Sequence, residues 1–474
     1  MNSPRLVHLT AIGGVGMTAL AGLLVESGFD VRGSDLDVYP PASDELARLG
    51  VPVARGWAAA NLEPRPDLVV IGNAISRDNP EAIAARTHGI ATMSMPEAIE
   101  TLILPERVPL VVAGTHGKTT TATFLAHALA TAGRNPGWFI GGAPLDLARP
   151  WSLGAGPDFV LEGDEYDSAY FDKGSKFLHY KPFGVIVNAI EFDHADIFRD
   201  LAHVEVAFAR LLELPPAEGP IVVSADFPRA LAVARASGRP FRTFGVAADA
   251  DWRITELGDG PAGLSFVARG DGETVPLRTP MLGTFNARNI LAVLALSRSL
   301  GVSAEAVQEA AAGFHGVRRR QQVLVERPIT LIDDFAHHPT AIAGTLDAVR
   351  SRFPNRRVWA LFDPRSNTSR RRIFQDEIAR ALAMADRVVI GPVHRAEQLA
   401  DEDRFSPEAA CAVVRAQAGR AAWAESAHDA VVARVTEGWS EGDVVVSLSN
   451  GAFGGILPRL AALAAREPGP VRPG

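Results

Sequence analysis

The chain has a single cysteine, Cys411, among 474 residues. One thiol excludes an intrachain disulfide framework and is typical of a protein of the reducing cytoplasm. Basic residues are also scarce, because 47 Lys plus Arg stand against 55 Asp plus Glu and give a net charge of −8. This balance disfavours a nucleic-acid partner held by general phosphate attraction. Such a protein must bind anions locally, through glycine-rich loops and single Lys or Arg residues.

Long hydrophobic runs are absent as well. The apolar stretch near the N-terminus is interrupted by Gly13, Gly14 and Gly16, and no cleavage-site pattern follows it. We therefore expect neither a signal peptide nor membrane insertion, and we expect a cytoplasmic protein. An apolar content of 47% with 22% charged residues is that of an ordinary globular protein. The length predicts about two to four domains.

The most informative stretch lies between an apolar run, Val108–Val112, and a helix-length segment that ends near Gly133. A strand, a glycine-rich loop and a helix in this order form a phosphate-binding loop, in which backbone N–H groups and the helix N-terminus surround an anion. Val112 stands where the full pattern has another glycine, so the match is to a shortened variant. The alternative is a merely structural turn. The residues predicted to bind ATP here are Gly114, Thr115, His116, Gly117, Lys118, Thr119 and Thr120.

Lys118 is predicted to contact the β- and γ-phosphates, and the Thr119 hydroxyl has the position that ligates Mg²⁺ in such loops. Four carboxylates lie within 162–167, directly after a predicted strand, Asp158–Leu161. Their mutual repulsion is relieved by a divalent cation, although a solvated acidic loop is the alternative. A second polar segment, 188–196, follows the predicted strand Gly184–Val187 and contains His194, which is suited to the metal shell or to phosphate.

The N-terminal segment reads as a strand, a tight glycine turn and a helix, with Asp35 at the end of a second strand. This is a Rossmann-like opening, but the full dinucleotide fingerprint fails because Ala11 occupies a glycine position. NAD, another nucleotide and a structural turn all remain open. A further strand ends at the loop 72–76, which contains Ser76. We expect this domain to hold one nucleotide-like ligand.

Short alternating segments predict an antiparallel β excursion at 251–282. The segment after it contains Asn286 and Asn289, which are three residues apart and so share one helix face, and it leads into a predicted helix, Ile290–Leu300. They are suited to a base edge, although helix capping explains one of them equally well. A third series of strands and helices follows Arg318, Arg319 and Arg320. Its strands are predicted to deliver three polar clusters to one sheet edge, at 333–339, 363–368 and 449–455.

Together these stretches resemble the ATP-dependent Mur ligase family from Val7 to Leu460. The family's motifs are G-T-H-G-K-T-T from Gly114, E-G-D-E from Glu162 and D-D-F-A-H-H-P from Asp333, together with the two asparagines. Within the family, the chain is most similar to members that join UDP-N-acetylmuramate to the tripeptide L-alanyl-γ-D-glutamyl-meso-diaminopimelate in peptidoglycan recycling. Ligation of L-alanine to the same nucleotide, in de novo peptidoglycan synthesis, is the alternative. The stretches that favour the tripeptide begin at Gly33, Asp164, Glu191 and Pro364.

The resemblance implies an α/β protein with a Rossmann-like UDP-binding domain (1–106), a central P-loop ATPase-type domain with a mostly parallel sheet (107–320) and a C-terminal Rossmann-like domain (321–466). The tail, 467–474, is predicted to be disordered. It also implies ATP and Mg²⁺ as cofactors, with small-molecule substrates and no nucleic acid. The residues implied in catalysis are Lys118, Glu162, His194 and Arg319, and those implied in metal binding are Thr119, Glu162 and His194. ATP is expected to bind the phosphate loop together with Asn286, Asn289, Arg319 and Asp334. The UDP-sugar is expected to bind Gly13, Gly14, Gly16, Ser34, Asp35 and Ser76, and the peptide is expected to bind Arg365, Ser366, Asn367 and Thr368.

Three departures from the family pattern stand out. Phe285 replaces a His and Gly163 replaces an Ala, and 369–372 replaces a more apolar segment beside the expected peptide pocket. Two other functional classes are alternatives: a nicotinamide-dependent dehydrogenase, which the N-terminal glycine turn suggests, and a nucleotide-gated sensor without chemistry. The acidic metal cluster disfavours the sensor.

Overall fold

A computed structural model describes residues 6–465, so the tail predicted to be disordered lies outside the described residues. The chain forms three separate open sheets in succession, besides a small hairpin. No helix in the described range is long and apolar enough to cross a membrane. The domain boundaries predicted between residues 106 and 107 and between residues 320 and 321 stay predictions.

The N-terminal region is a five-stranded parallel sheet in the order β3-β2-β1-β4-β5. The strand order reverses between β1 and β4, which is where open α/β sheets bind ligands. Helix α1 is apolar on nearly all sides, because it packs on its own sheet and also on Trp151 of the next region. The elements are β1 (Leu6–Thr10), α1 (Val15–Glu26), β2 (Asp30–Asp35), α2 (Ala42–Arg48), β3 (Val53–Arg55), β4 (Leu68–Ile71), α3 (Pro80–Thr87), β5 (Ala91–Ser94) and α4 (Met95–Ala98), the last continued by a π-helix at Ile99–Ile103.

The central region has a ten-stranded sheet, in which β6 lies between β12 and β9 and is parallel to both. The three strands are buried throughout most of their length and end at one sheet edge, so their loops meet there. The elements are β6 (Val108–Ala113), α5 (Lys118–Thr131), β7 (Gly137–Phe139), β8 (Trp151–Ser152), β9 (Asp158–Gly163), β10 (Asp167–Ala169), β11 (Asp172–Ser175), β12 (Gly184–Val187), α6 (Leu201–Glu213), β13 (Ile221–Ser224), α7 (Pro228–Ala236), β14 (Arg242–Gly245), β15 (Trp252–Gly260), β16 (Gly263–Gly270), β17 (Glu273–Thr279), α8 (Thr284–Ser299) and α9 (Ala304–Ala312).

The predicted antiparallel excursion is present as β15, β16 and β17. Helix α8 begins at Thr284, earlier than the predicted Ile290, so Asn286 and Asn289 lie inside the helix rather than before it. The glycine at 283, with φ +84°, turns the chain into this helix.

The C-terminal region is a six-stranded sheet in the order β18-β19-β23-β20-β21-β22, parallel except for β18. Strands β18 and β22 were not predicted. Pro339 begins α10, in the first helical position that suits a proline. The elements are β18 (Gln322–Val325), β19 (Thr330–Asp334), α10 (Pro339–Arg352), β20 (Val358–Phe362), α11 (Gln375–Leu382), β21 (Arg387–Ile390), α12 (Pro407–Arg415), β22 (Ala421–Ala424), α13 (His428–Gly438), β23 (Val444–Leu448) and α14 (Ile456–Ala464). Short 3₁₀ turns occur at Ala59–Leu62, Lys176–His179, Arg372–Phe374, Ala396–Gln398 and Phe453–Gly455.

Candidate functional site

A cavity of about 1000 Å³ opens where the three regions meet. Asn73 reaches it from the N-terminal region, Lys118 from the central region, and Ser366 and Asn450 from the C-terminal region. The strand ends of the central sheet supply much of its wall. A cavity of this size, lined by convergent polar groups, is the principal candidate for a binding site.

The phosphate loop connects β6 to α5 at this cavity. Gly114 and Gly117 adopt φ +138° and +79°, which L-residues with a side chain rarely adopt. A Cβ at Gly117 would lie 2.8 Å from Asn289 Oδ1, so glycine is required here for space as well as conformation. Thr115 Oγ1 accepts the Glu191 N–H at 2.9 Å and donates to the Glu191 carbonyl at 3.1 Å, which ties the loop to the segment after β12.

Lys118 lies in a buried chain of charges. Its Nζ donates to Glu165 Oε2 and to the Gly114 carbonyl, both at 2.8 Å, and Glu165 Oε1 lies 3.3 Å from His194 Nε2. Burial opposes the charge on Glu165, but Lys118 and His194 lower the pKa of Glu165 to about 2. Burial likewise opposes the charge on His194, and Glu165 raises the pKa of His194 above its ordinary value. The ammonium is therefore held at the loop by a partner that stays ionised.

Glu162 forms a second buried contact at the same strand ends. Thr119 Oγ1 donates to Glu162 Oε1 at 2.6 Å, and the Gly141 N–H donates to Oε2 at 2.7 Å. Burial, together with the neighbouring Asp164, raises the pKa of Glu162. A carboxylate that is crowded by a second carboxylate and faces a threonine hydroxyl offers the hard oxygen ligands that Mg²⁺ prefers. These residues therefore fit a divalent cation.

The two asparagines on α8 line the cavity but bond to each other. Asn289 Nδ2 donates to Asn286 Oδ1 at 3.1 Å, and Asn286 Nδ2 donates to the Leu282 carbonyl at 2.8 Å. Thr120 and Phe285 also line this wall. The pair is thereby fixed in orientation at the cavity surface.

Arg319 does not line the cavity, contrary to its predicted role. Its Nη2 donates to the carbonyls of Ser449 and Gly451, both at 2.7 Å, and its Nε lies 3.3 Å from Asp333 Oδ2. Arg320 lines the cavity instead, with Nη2 at 3.5 Å from the Thr119 hydroxyl.

Asp334 lines the cavity together with Arg320. Its two oxygens accept the backbone N–H groups of Gln321 at 2.7 Å and Ala336 at 2.8 Å. Burial raises the pKa of Asp334, which the Arg320 guanidinium only partly offsets. Burial lowers the pKa of Arg320 in turn, so its charge is poorly solvated and available to an anionic ligand.

The predicted peptide residues divide in the structure. Thr368 Oγ1 donates to Asp193 Oδ1 at 2.6 Å, and Asn367 Nδ2 donates to Asp196 Oδ2 at 2.8 Å. These two side chains line the cavity and also dock the C-terminal region onto the segment after β12. Ser366 lines the cavity and bonds to Ser369 at 2.8 Å, whereas Arg365 lies outside the cavity lining, next to Gly451.

The predicted UDP-sugar residues also divide. Ser34 is buried, and its hydroxyl donates to Glu81 Oε2 at 2.6 Å, so its side chain is wrongly assigned to ligand contact. Asp35 Oδ2 accepts the Gly13 N–H at 2.9 Å and braces the glycine turn. Gly13 and Gly14 lie in that turn beside the strand-order reversal, whereas Gly16 lies in the first turn of α1. Ser76 is exposed on the loop after β4. Three apolar side chains are exposed in the neighbouring segments: Val15 directly after the turn, and Leu36 and Tyr39 after β2.

Several cavity residues were missed although their segments had been noticed. Glu165 belongs to the acidic cluster at 162–167, and the sequence did not distinguish it from the other carboxylates of that cluster. Asn188, whose Nδ2 donates to Thr121 Oγ1 at 3.0 Å, and Asp193 belong to the segment around His194. Because strand-end loops expose every second or third residue to one side, only the three-dimensional positions could rank them.

Comparison with known proteins covers most of the chain. The model of the Mur ligase family catalytic domain matches residues 6–107, that of the Mur ligase middle domain matches 112–297, and that of the Mur ligase glutamate ligase domain matches 318–451. These matches confirm the predicted resemblance and the three-domain α/β class.

Individual relatives match along nearly the whole length. The chain is 37% identical to an Escherichia coli UDP-N-acetylmuramate–L-alanyl-γ-D-glutamyl-meso-2,6-diaminoheptandioate ligase, over 96% of this chain and 97% of the relative. A murein peptide ligase structure from Psychrobacter arcticus is 32% identical with a TM-score of 0.73, covering 98% of this chain and 99% of that one. A UDP-N-acetylmuramate-alanine ligase structure from Thermotoga maritima is 25% identical with a TM-score of 0.79, covering 97% and 99%.

Proposed function

The chain belongs to the Mur ligase family, and we propose that it is the ATP-dependent ligase that joins UDP-N-acetylmuramate to the tripeptide L-alanyl-γ-D-glutamyl-meso-diaminopimelate. The observation that carries this proposal is the similarity to the tripeptide ligase of E. coli along nearly the whole of both chains. The reaction forms a carbon–nitrogen bond and belongs to peptidoglycan recycling. We assign it to the cytoplasm, in keeping with the single buried thiol of Cys411.

The chemistry explains the need for a phosphate loop. Forming an amide from a carboxylate and a protonated amine is uphill in water, so the carboxylate must first be activated. In our proposal, the lactyl carboxylate of the sugar takes the γ-phosphoryl group of ATP, which releases ADP and forms an acyl phosphate. The amine of the peptide then attacks the acyl carbon, so that the amide bond forms and inorganic phosphate leaves. Lys118 and Arg320 supply fixed positive charge to the transferring phosphoryl group, where most of the catalysis of such a step arises. Their burial supports this role, because charge acts more strongly away from water.

We propose that Thr119, Glu162 and His194 hold Mg²⁺ when ATP is bound. The ion supplies charge neutralisation to the phosphates of ATP. Glu165 has a different role, since its oxygens contact Lys118 and His194 and keep both side chains at the loop. Asn286 and Asn289 are proposed to contact the adenine.

The UDP-sugar is proposed to bind the glycine turn Gly13–Gly16, whose backbone is braced by Asp35. Exposed Val15, Leu36 and Tyr39 offer apolar area to the base. Asn73, on the neighbouring strand-end loop, lies in the wall of the central cavity. A nucleotide on the N-terminal sheet therefore has a short route for its sugar to reach the phosphate loop.

Ligation of L-alanine to the same nucleotide is the competing function, because the alanine ligase of T. maritima has a similar fold at 25% identity. The two differ in the amine substrate. The tripeptide carries three carboxylates and a distal amine, whereas alanine carries one carboxylate beside its amine. A site for the tripeptide therefore requires anion-binding groups spread over a longer distance.

The test offers the purified protein UDP-N-acetylmuramate and MgATP with either tripeptide or L-alanine, and measures phosphate release. We expect release that depends on both the nucleotide and the amine, with a higher kcat/KM for the tripeptide. A higher kcat/KM for L-alanine would select the competing function. Phosphate release that needs neither substrate would contradict both.

A further inference from the structure

Three side chains from different parts of the chain converge beside the phosphate loop. They are His116 in the loop, Glu191 after β12, and His338 at the N-cap of α10 in the C-terminal region. Each offers one nitrogen or oxygen atom, and these atoms lie within 4.8 Å of one another. His116 Nε2 lies 2.8 Å from Glu191 Oε2, and the two imidazole ring centroids are 4.5 Å apart.

All three converging atoms are buried. His116 Nε2 and Glu191 Oε2 pair with each other at 2.8 Å, whereas Nε2 of His338, whose whole side chain is buried, has no hydrogen-bond partner among residues 6–465. Buried polar atoms nearly always have a partner, so the unpartnered His338 nitrogen beside this pair indicates a missing ligand. Burial and the neighbouring His116 lower the pKa of His338 to about 3, so its imidazole is neutral at pH 7.

We propose that His116, Glu191 and His338 form a site for a divalent transition metal ion of the zinc type, separate from the proposed Mg²⁺ ligands Thr119, Glu162 and His194. Two imidazoles with one carboxylate form a ligand set typical of zinc, whereas Mg²⁺ prefers oxygen atoms. Ligand atoms at about 2.0–2.2 Å from one tetrahedral ion are separated by about 3.3 Å. The 2.8 Å between His116 and Glu191 therefore requires only a small adjustment.

Metal binding at His338 Nε2 requires the proton of the ring to be on Nδ1. That nitrogen now accepts the Thr340 N–H at a long 3.3 Å, and this contact would be given up. The Thr340 hydroxyl already donates to Glu191 Oε1 at 3.0 Å and would continue to orient the carboxylate. Since His338 comes from the C-terminal region, a bound ion would link that region directly to the phosphate loop.

The test is a titration of metal-free protein with Zn²⁺ against a chromophoric chelator, with excess Mg²⁺ and no nucleotide. His338→Asn keeps a side chain that can cap α10, and Glu191→Gln keeps the size of the carboxylate. His88→Asn, at an exposed histidine of the N-terminal region, is the matched control. Glu162→Gln tests whether Zn²⁺ enters the proposed Mg²⁺ site instead. Circular dichroism confirms that each variant is folded.

We expect one Zn²⁺ to bind per chain. The Kd for Zn²⁺ should increase by at least about tenfold in His338→Asn and Glu191→Gln and stay unchanged in His88→Asn and Glu162→Gln. Co²⁺ in place of Zn²⁺ should give visible absorption bands that His338→Asn weakens. An unchanged Kd in His338→Asn, or a loss confined to Glu162→Gln, would overturn the site. A rise in the tripeptide KM of His338→Asn without any change in Zn²⁺ affinity would also overturn it and assign the cluster to the substrate amine. Because the titration involves no turnover, its outcome is independent of the proposed ligase function.

Discussion

Arg319 and Arg320 are adjacent in the chain but have different environments. Arg319 has φ +60° and Gln321 has φ +51°. Both guanidinium groups lie over the Phe335 ring, at 5.3 Å and 4.4 Å from its centroid, but their polar contacts differ. Arg319 holds two backbone carbonyls after β23, while Arg320 lies in the central cavity near Thr119. One arginine therefore contributes to the C-terminal region and the other to the site.

We expect Arg320→Gln to lower kcat for ligation by about 10²-fold or more, because it removes a buried charge near the phosphate loop. Arg319→Gln should instead lower the free energy of unfolding by about 1–3 kcal/mol, through lost hydrogen bonds to carbonyls. Steady-state kinetics and urea denaturation of both variants check this. A larger loss of kcat in Arg319→Gln than in Arg320→Gln would contradict the assignment.

The sequence could identify the arginine cluster but not the member that faces the site. Positive φ at Arg319 depends on the β18–β19 pairing and on contacts with residues about 449–451, which are distant in the chain. Ser34 shows the same limit. The family resemblance implied a ligand contact for Ser34, but its partner Glu81 lies 47 residues away and becomes a neighbour only through the fold. By contrast, the strand–loop–helix pattern around Lys118 and Thr119 was predicted correctly, because residues close together in the chain determine it. Glu162 lies in β9 and accepts a hydrogen bond from Thr119, and the roles of these residues stay predictions.

At the scale of secondary-structure elements, the phosphate loop depends on a glycine at the N-cap of α5. We expect Gly117→Ala to raise the ATP KM strongly, because its Cβ would lie 2.8 Å from Asn289 Oδ1 in addition to the strain at φ +79°. Gly133→Ala is the matched control, since Gly133 has φ +73° with open space around it. The control should lose about 1 kcal/mol of stability and keep its ATP KM. Equal effects of both substitutions on KM would show that backbone strain alone is responsible.

The segment after β12 and the loop after β20 form a contact between two regions. Thr368→Ala removes the hydrogen bond to Asp193, so we expect faster hydrogen exchange in both segments and a lower kcat, with little change in the affinity for ATP. Thr368→Ser keeps the hydroxyl and should behave like the unmodified protein. If Thr368→Ala retained full kcat, the contact would have no role in closing the site.

Across the whole molecule, the sequence predicted three α/β regions because each has its own alternation of apolar strands and helices. The contacts that hold the three regions against one another had no comparable signal in the sequence. Thr368 and Asp193 are 175 residues apart, and each residue type is common in surface loops. The arrangement of domains depends on such isolated polar contacts and on single packing contacts, such as that of Trp151 against α1. Neither kind of contact produces a periodic pattern of apolar residues in the sequence.

The separation of the sheets predicts that the two nucleotides bind independently. Lys118 begins α5, after the loop that follows β6 of the central sheet, whereas Gly14 belongs to the turn after β1 in the N-terminal sheet. Lys118→Ala should therefore abolish ligation, by removing the charge that faces the phosphates, and leave the Kd for UDP-N-acetylmuramate within about twofold. Calorimetry with the UDP-sugar in the absence of ATP measures this directly.

Gly14→Asp is the companion variant, since it places a carboxylate in the proposed diphosphate position at an exposed turn. We expect it to weaken UDP-sugar binding by at least about tenfold while ATP binding, measured without the sugar, is retained. Lys118→Ala would also leave Glu165 without its buried ammonium, so its stability must be measured in parallel. If a folded Lys118→Ala protein lost UDP-sugar affinity as severely as Gly14→Asp, the two nucleotides would share one site and the assignment to separate sheets would be wrong.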